Sequence, residues 1–533
     1  MKNLKVYILS MMAGFLALTG CSDDFLDSTP KTSLTEANFY QTKEDAEIAI
    51  VGCYDGLQVL NQEGVAFPVA SEVLSDNCFG GTGNNDDYGY QLLDEFDLQR
   101  APSMQNMFEE NWKNYYEGIY RVNMLLEKMD QISWEGDTAM MNNIEAEARF
   151  LRAFFYFDMV RLWENVPLIT EPTEENVPQS NPDEVYELIT NDLLTAIEKG
   201  NETVEPGRAN KWAAKSLLGR VYLFYTGYYD QSELVGQVSQ SEALGHLEDV
   251  IASQEYGLVE EFKNLWPAAS STPNEEENTL ESTYAGKDNK ETIFAIKHNI
   301  TSDYDGNTDG NHWLVMLGLR EQTFSPYGRG WGAAPVEPDL YEAFEDGDER
   351  RAASIIGVEE EELDYDNSGQ REYTGYFNKK YIPLALPDGS DVAVENGAED
   401  FMIGQFQDYV SIRYADVLLM AAELGSENAQ DYYDQVRERA GLDSKTVNQE
   451  NIMEERRFEF AFEGIRYWDL LRQGVETAAS QIAESTTVYN GGSETQKEIE
   501  AQEIIETGGF QMIPQNQISL SDNVLKQNDG WKN

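Results

Sequence analysis

The stretch Asn143-Ile144-Glu145-Ala146-Glu147-Ala148-Arg149-Phe150-Leu151-Arg152-Ala153-Phe154-Phe155-Tyr156-Phe157-Asp158-Met159-Val160-Arg161-Leu162-Trp163 decides the fold class. Leu151, Phe154, Phe155, Met159, Leu162 and Trp163 recur at three- and four-residue steps, which puts them on one face of a helix. Such a face has to be buried against others of its kind. The same periodicity predicts helices over about 40–60, 104–131, 139–164, 182–199, 208–226 and 240–253, and again over 409–440 and 449–473. Asn181 before Pro182 reads as a helix start, with a capping side chain followed by a residue pre-set for the first turn. Leu218-Gly219-x-x-Tyr222, followed by Ala243 and Leu247, has the pattern of a tetratricopeptide hairpin, in which a small residue admits the partner helix. Leu418, Leu419 and Ala422 followed by Ala429, Tyr432 and Val436 suggest a second such hairpin. Hairpins of this type cover one another's apolar faces, and the chain holds helices for about four. The fold expected is all-α, mainly helical.

Residues 61–103 and 257–408 break the pattern, being rich in Gly, Asn, Asp, Pro and Tyr without helical period. Irregular segments of that length in a compact domain usually carry function. Thr292 to Lys297 reads as a short strand, and the acidic runs Glu275-Glu276-Glu277 and Glu359 to Glu362 as solvated surface.

Across 533 residues the hydrophobic fraction is 41%, with 23 Phe, 29 Tyr and 9 Trp, which excludes a disordered chain. The 97 acids against 38 Lys and Arg leave a net charge of −59, which makes nucleic acid and anionic lipid poor partners and suits a salty habitat that screens self-repulsion. Lys2 and Lys5 precede the apolar run Val6 to Gly20, too short to span a bilayer but long enough for a secretory leader. Leu18-Thr19-Gly20-Cys21 resembles a bacterial lipobox, so cleavage before Cys21 and its acylation, with palmitate-type chains, are expected. Several acyl chains anchor stably where one would not. Ser22-Asp23-Asp24 resembles an acidic surface-export tag, which implies the outer face of the outer membrane. Cys53 and Cys78 remain, too sparse for a disulfide framework, and are read as two buried free thiols, with a single disulfide, which export permits, as the alternative.

Catalytic motifs are scarce. The three histidines are His246, His298 and His312, and no zinc, nucleophile-elbow or phosphate-loop motif occurs. Asp305-x-Asn307-x-Asp309-Gly310 imitates the start of a calcium loop, but its twelfth position is Met316 instead of Glu. Asp364-x-Asp366-x-Ser368-Gly369 departs in the same way, with Gly375 twelfth. An Asn/Asp turn is the favoured reading, with no cofactor and structural calcium as the alternative. What stands out is planar and aromatic chemistry in the irregular segments. Asp76, Asn77, Asn84, Asp86, Asp87, Tyr88 and Tyr90 lie in one, and Tyr304, His312, Trp313, Arg320, Tyr327, Arg329 and Trp331 in the other. A sugar offers an apolar face and a rim of hydroxyls, which call for an exposed ring beside Asp, Asn or Arg.

Four further segments point to a family. Ala146 to Phe157 continuing to Val166-Pro167-Leu168, Ile412-Arg413-Tyr414-Ala415-Asp416-Val417-Leu418-Leu419-Met420, Glu455 to Leu470, and Ile513-Pro514-Gln515 with Gln527-Asn528-Asp529-Gly530-Trp531 resemble the SusD/RagB starch-binding lipoproteins. Ile465 departs from the His of many relatives. The resemblance implies a leader over 1–20 and a single SusD-like domain over 21–533, with four tetratricopeptide-like hairpins and a loop-built ligand face. It implies binding without cleavage, and a SusC-like TonB-dependent transporter as partner, over which the lipoprotein sits as a lid. Arg149, Arg152, Arg413, Arg456 and Arg457 are then structural. Asp76, Asn77, Asp86, Asp87, Tyr88, Tyr90, His312, Trp313, Arg320, Tyr327, Arg329 and Trp331 are the candidate ligand contacts. The rival readings are a peptide-binding lid and a surface glycosidase, whose carboxylate pair a sequence with 97 acids cannot single out.

Overall fold

Thr42, Asn181 and Ser239 each open a helix with a capping box, the side chain accepting from the helix backbone while an acid three residues on accepts from the cap. In the computed structural model, which describes residues 39–60, 65–98 and 107–531, these starts belong to a run of long helices. The leader, the lipobox and Cys21 lie outside the described residues. The helices are α1 (Lys43–Val59), α2 (Glu109–Lys128), α3 (Thr138–Trp163), α4 (Pro182–Lys199), α5 (Lys211–Tyr228), α6 (Gln240–Ser253), α7 (Tyr414–Glu423) and α8 (Ala429–Arg439). They pack as four successive pairs, α1/α2, α3/α4, α5/α6 and α7/α8, each resting on the next. The fold is the expected helical one. Among the described residues no helix is long and apolar enough to cross a membrane.

The apolar stripe of α3 forms the centre. Trp163 is fully buried and meets Trp112 edge-on at 4.9 Å and Tyr115 at 6.0 Å, a geometry that the ring quadrupole favours. In the α5/α6 pair, a Cβ on Gly219 would lie 2.8 Å from Leu247 Cδ2, so any larger residue there has to push the leucine aside. Cys53 and Cys78 are buried and unpaired, and burial pushes the Cys53 thiol up to about 12.

Two boundaries differ from the periodicity. Tyr409–Arg413 is a strand, β4, paired antiparallel with β3 (Thr292–Ile296), and the helix begins only at Tyr414. Val410 and Ile412 pair with Ala295 and Phe294 across a register shift at Ser411, and this pairing overrides the helical reading. The expected helix over 449–473 is two, α9 (Gln449–Glu459) and α10 (Arg466–Leu471), broken where Phe462 and Gly464 take positive φ. A side chain at 464 would also strike the backbone of Pro68.

Between α7–α10 and the irregular segments lies a buried ionic layer. Arg413 donates to Glu291 (2.8 Å), Glu459 and Glu463 (2.7 Å). Arg350 pairs with Asp348, Glu455 and Glu459. Arg456 joins Asp416 to Asp469, both at 2.7 Å. In the first pairs, Arg149 and Arg152 of α3 share Asp192 of α4. These side chains hold segments together. Each carboxylate is offset by a guanidinium in a place where an unpaired charge would be costly.

Candidate functional site

Four segments converge on one face: residues 83–90, the stretch from His312 to Trp331, residues 366–373, and the turn of a hairpin formed by β5 (Glu484–Asn490) and β6 (Ser493–Ile499). Leu319–Arg320 pairs in parallel with Arg329–Gly330, which brings Arg320 beside Trp331, and an Arg320 Nη1–H donates to the Trp331 carbonyl at 3.4 Å. The same guanidinium reaches Asp86 Oδ2 at 3.1 Å. Asp86 in turn accepts from the Gly83 backbone N–H at 2.8 Å, which closes its loop.

On the segments that this ion pair joins, Trp331 is 36% exposed, with His312 edge-on at 5.4 Å. Tyr88, two residues beyond Asp86, is 48% exposed, with the Arg371 guanidinium 4.0 Å over its ring. Arg371 also donates to the carbonyls of Asp86 (2.7 Å), Asp87 (3.1 Å) and Asn84 (3.2 Å), fixing the loop that presents Tyr88. Asn84 Nδ2 donates to Ser368 O, and Gln370 Nε2 to Gly332 O, so the segments are stitched to one another. Tyr489, 37% exposed, borders the same loops through its bridge to Tyr373. Two exposed rings are thus presented by the segments that a charge pair ties together, with donors and acceptors among them. This is the arrangement suited to a ligand with apolar faces and many hydroxyls.

Burial removes part of the expected set. Trp313 is 1% exposed, because the run Trp313–Leu317 is a helix buried whole, and its ring packs on Tyr381 at 4.9 Å and Tyr409 at 5.8 Å. Asp76 is held bidentately by Arg466, with both contacts at 2.7 Å. Burial alone would raise its carboxyl, and Arg466 and Arg457 more than offset that and lower it. Asn77 is fully buried and donates to Glu72. Tyr327 is 6% exposed with its hydroxyl on Glu361 at 2.7 Å, and burial raises the phenol. The Tyr90 hydroxyl points to Met316 Sδ at 3.3 Å. These five serve packing. Asp86, Asp87, Tyr88, His312, Arg320 and Trp331 gather at the face, while Arg329 is exposed and lies over Phe401 at 4.2 Å.

Sequence reasoning missed Arg371, Tyr373 and Tyr489. Their only signal was the Tyr- and Gly-rich composition of 365–376 and the Gly491-Gly492 turn. Asp303, Asn307 and Asp309, in the loop resembling a calcium site, accept hydrogen bonds from neighbouring backbone and side chains of that loop. Among the described residues no group of three or more His, Cys, Asp or Glu is disposed to hold a metal ion.

Comparison with known proteins bears on this geometry. A sequence model of the SusD family matches residues 357–531, and one described as starch-binding and associating with the outer membrane matches residues 24–223. A SusD-like protein of Bacteroides ovatus is 24% identical over 496 residues, covering 88% of this chain and 82% of the relative. The SusD-like protein P2 of Formosa agariphila is 27% identical over 504 residues, covering 88% and 91%. A solved laminarin-binding SusD-like protein superposes with a TM-score of 0.72 at 28% identity over 92% of this chain and all of that one. Surface glycan-binding protein A of Bacteroides thetaiotaomicron, solved with laminarihexaose, superposes at 0.74 over the same shares with 23% identity, a likeness of fold. With the signature segments at both ends matched and the helical pairs superposing along nearly the whole length, the chain belongs to the SusD family.

Proposed function

We propose that this protein is a cell-surface lipoprotein that binds oligo- or polysaccharide and passes it to a SusC-like TonB-dependent transporter, over which it acts as a lid. The observation that carries the binding step is the pair of exposed rings, Trp331 and Tyr88, on the segments that the Asp86–Arg320 ion pair joins. Rings stack on sugar C–H faces while the ion pair, Asp87 and His312 serve the hydroxyls. The likeness to a laminarin-binding relative makes β-glucan the first ligand to try. Acylated Cys21 keeps the lid near its barrel when open, raising its effective concentration there. Closure then follows from ligand contacts made better in the closed state than in the open one.

Affinity electrophoresis through gels containing laminarin, and through starch and xylan gels in parallel, tests the reading. Trp331→Ala and Tyr88→Ala are each expected to weaken retention by about tenfold, or ~1.4 kcal/mol. Trp313→Phe leaves retention unchanged. Unaltered mobility of both ring variants on a retaining gel rejects this face as the site. New reducing ends on incubation with the polysaccharide reject binding without cleavage.

A further inference from the structure

A second concavity is lined by neither exposed ring nor the ion pair, and shares with the segments of the aromatic face only the buried Leu314. Its volume is about 210 Å³. One wall is the hairpin of β1 (Ser271–Asn274) and β2 (Thr279–Ser282), and the other is the segment 382–392. Leu280, Leu314, Ile382, Leu384, Val392 and Phe406 make the lining predominantly apolar. The cleft opens to the surface, with Leu280 and Tyr284 partly exposed, so an apolar group that enters it takes apolar wall area out of water.

The lysine and the two glutamines that line it are already engaged. Lys287 donates to Asp408 at 2.9 Å and to the His298 carbonyl at 2.7 Å, and Asp408 also pairs with Lys297 at 2.8 Å. Gln405 Nε2 donates to Asp391 and to the Phe401 carbonyl, and Gln407 Nε2 to the Lys380 carbonyl. An anion would meet a lysine whose charge Asp408 already balances. A bare sugar would set its hydroxyls against hydrocarbon, each losing its hydrogen bonds to water. Tyr284 and Phe406 supply two rings, and the Tyr284 hydroxyl has no hydrogen-bond partner among the described residues. The walls are tied together at their turns: Asn278 Nδ2 donates to Asp388 Oδ2 at 2.9 Å, and the Asp388 N–H returns to Asn278 Oδ1 at 3.0 Å. The cleft is therefore held at a fixed width, which lowers the ordering cost of binding.

We propose that this cleft binds a neutral aromatic group, carried free or as a substituent of a glycan, with one hydroxyl or ether oxygen for Tyr284. An apolar cavity of about 150 Å³ takes up benzene, so this larger one suits a substituted or fused ring of about ten to twelve non-hydrogen atoms. The inference goes beyond the glycan reading and does not depend on it.

Saturation-transfer NMR and calorimetry with 2-naphthol and 2-naphthyl β-glucoside test it on the full chain. Saturable binding of 2-naphthol is expected, weakened roughly tenfold or more by Leu280→Trp, which fills the cleft from one wall, and likewise by Val392→Trp from the other. Trp331→Ala leaves it unchanged. Circular dichroism identifies any variant that does not fold, and the remaining one then decides. Preference for the glucoside assigns the ring to a glycan substituent, and equal binding assigns it to a free aromatic. No saturable binding of either probe, or undiminished binding in a folded wall variant, overturns the proposal.

Discussion

Arg413 sits 2% exposed among three carboxylates contributed by Glu291, Glu459 and Glu463, with the Phe460 ring 4.4 Å away. The site excludes water, so the acids depend on the guanidinium for their charge balance. Arg413→Ala leaves them buried and uncompensated and is expected to cost about 3–5 kcal/mol, read from urea denaturation. Arg413→Lys recovers only part, because one ammonium cannot reproduce the fork that reaches all three. At this scale the signature arginines were legible as structural only through the resemblance to the family, since the acids that meet Arg413 lie far from it in sequence. Trp313 against Trp331 was not. Both stand in apolar, Gly-flanked runs, and only the packing of Tyr381 and Tyr409 over one of them decides which ring is covered.

Helix pairs depend on how closely their backbones approach. At Gly219 the Leu247 side chain occupies the space a Cβ would take, whereas at Gly52 nothing lies within 4 Å. Gly219→Val is therefore expected to lower stability by about 1–3 kcal/mol through forced separation of α5 and α6. Gly52→Ala is expected to raise it by about 0.5–1 kcal/mol through helix propensity. Thermal denaturation of the two variants checks the pair of opposite signs. The α5/α6 approach was legible from Leu218-Gly219-x-x-Tyr222, because the small residue and the leucine that fills its place are both local. The hairpin β5–β6 was not: only Val488 in β5 and Lys497 and Ile499 in β6 are buried, too few for an alternating stripe. Its placement rests on Lys497, whose ammonium meets Asp94 (2.8 Å), Glu95 (2.9 Å) and Glu372 (2.9 Å), contacts distant in sequence. For the same reason β4 was mistaken for helix, since its partner β3 lies more than a hundred residues earlier.

Across the whole molecule two populations of buried carboxyl set the pH response. Burial raises Glu72 to about 7 and Asp158 to about 6, from 4.5 and 3.8. Their contribution is fully present below the unfolded values and is lost as pH rises through 6 to 7. For Asp416 burial opposes ionisation, but Arg220 and Arg456 outweigh it; for Glu459, Arg439, Arg413 and Arg350 do the same, and both carboxyls lie well below the usual range. Their contribution is present above the unfolded values and is lost as pH falls below about 4. The thermal midpoint is therefore expected to be highest near pH 5, lower at about pH 8, and to fall steeply below about pH 4. Glu72→Gln flattens the alkaline limb and leaves the acid limb intact.

The ionic layer joins ends of the chain that are far apart in sequence, with Asp76 and its partner Arg466 separated by 390 residues. During synthesis Asp76, Arg350 and Arg413 emerge before Glu455, Glu459, Glu463 and Arg466. A nascent chain therefore cannot seal its interior until the last stretch has followed. Truncation upstream of residue 455 should leave no folded remnant, and whatever escorts the polypeptide to its destination must tolerate an open chain until synthesis is nearly complete.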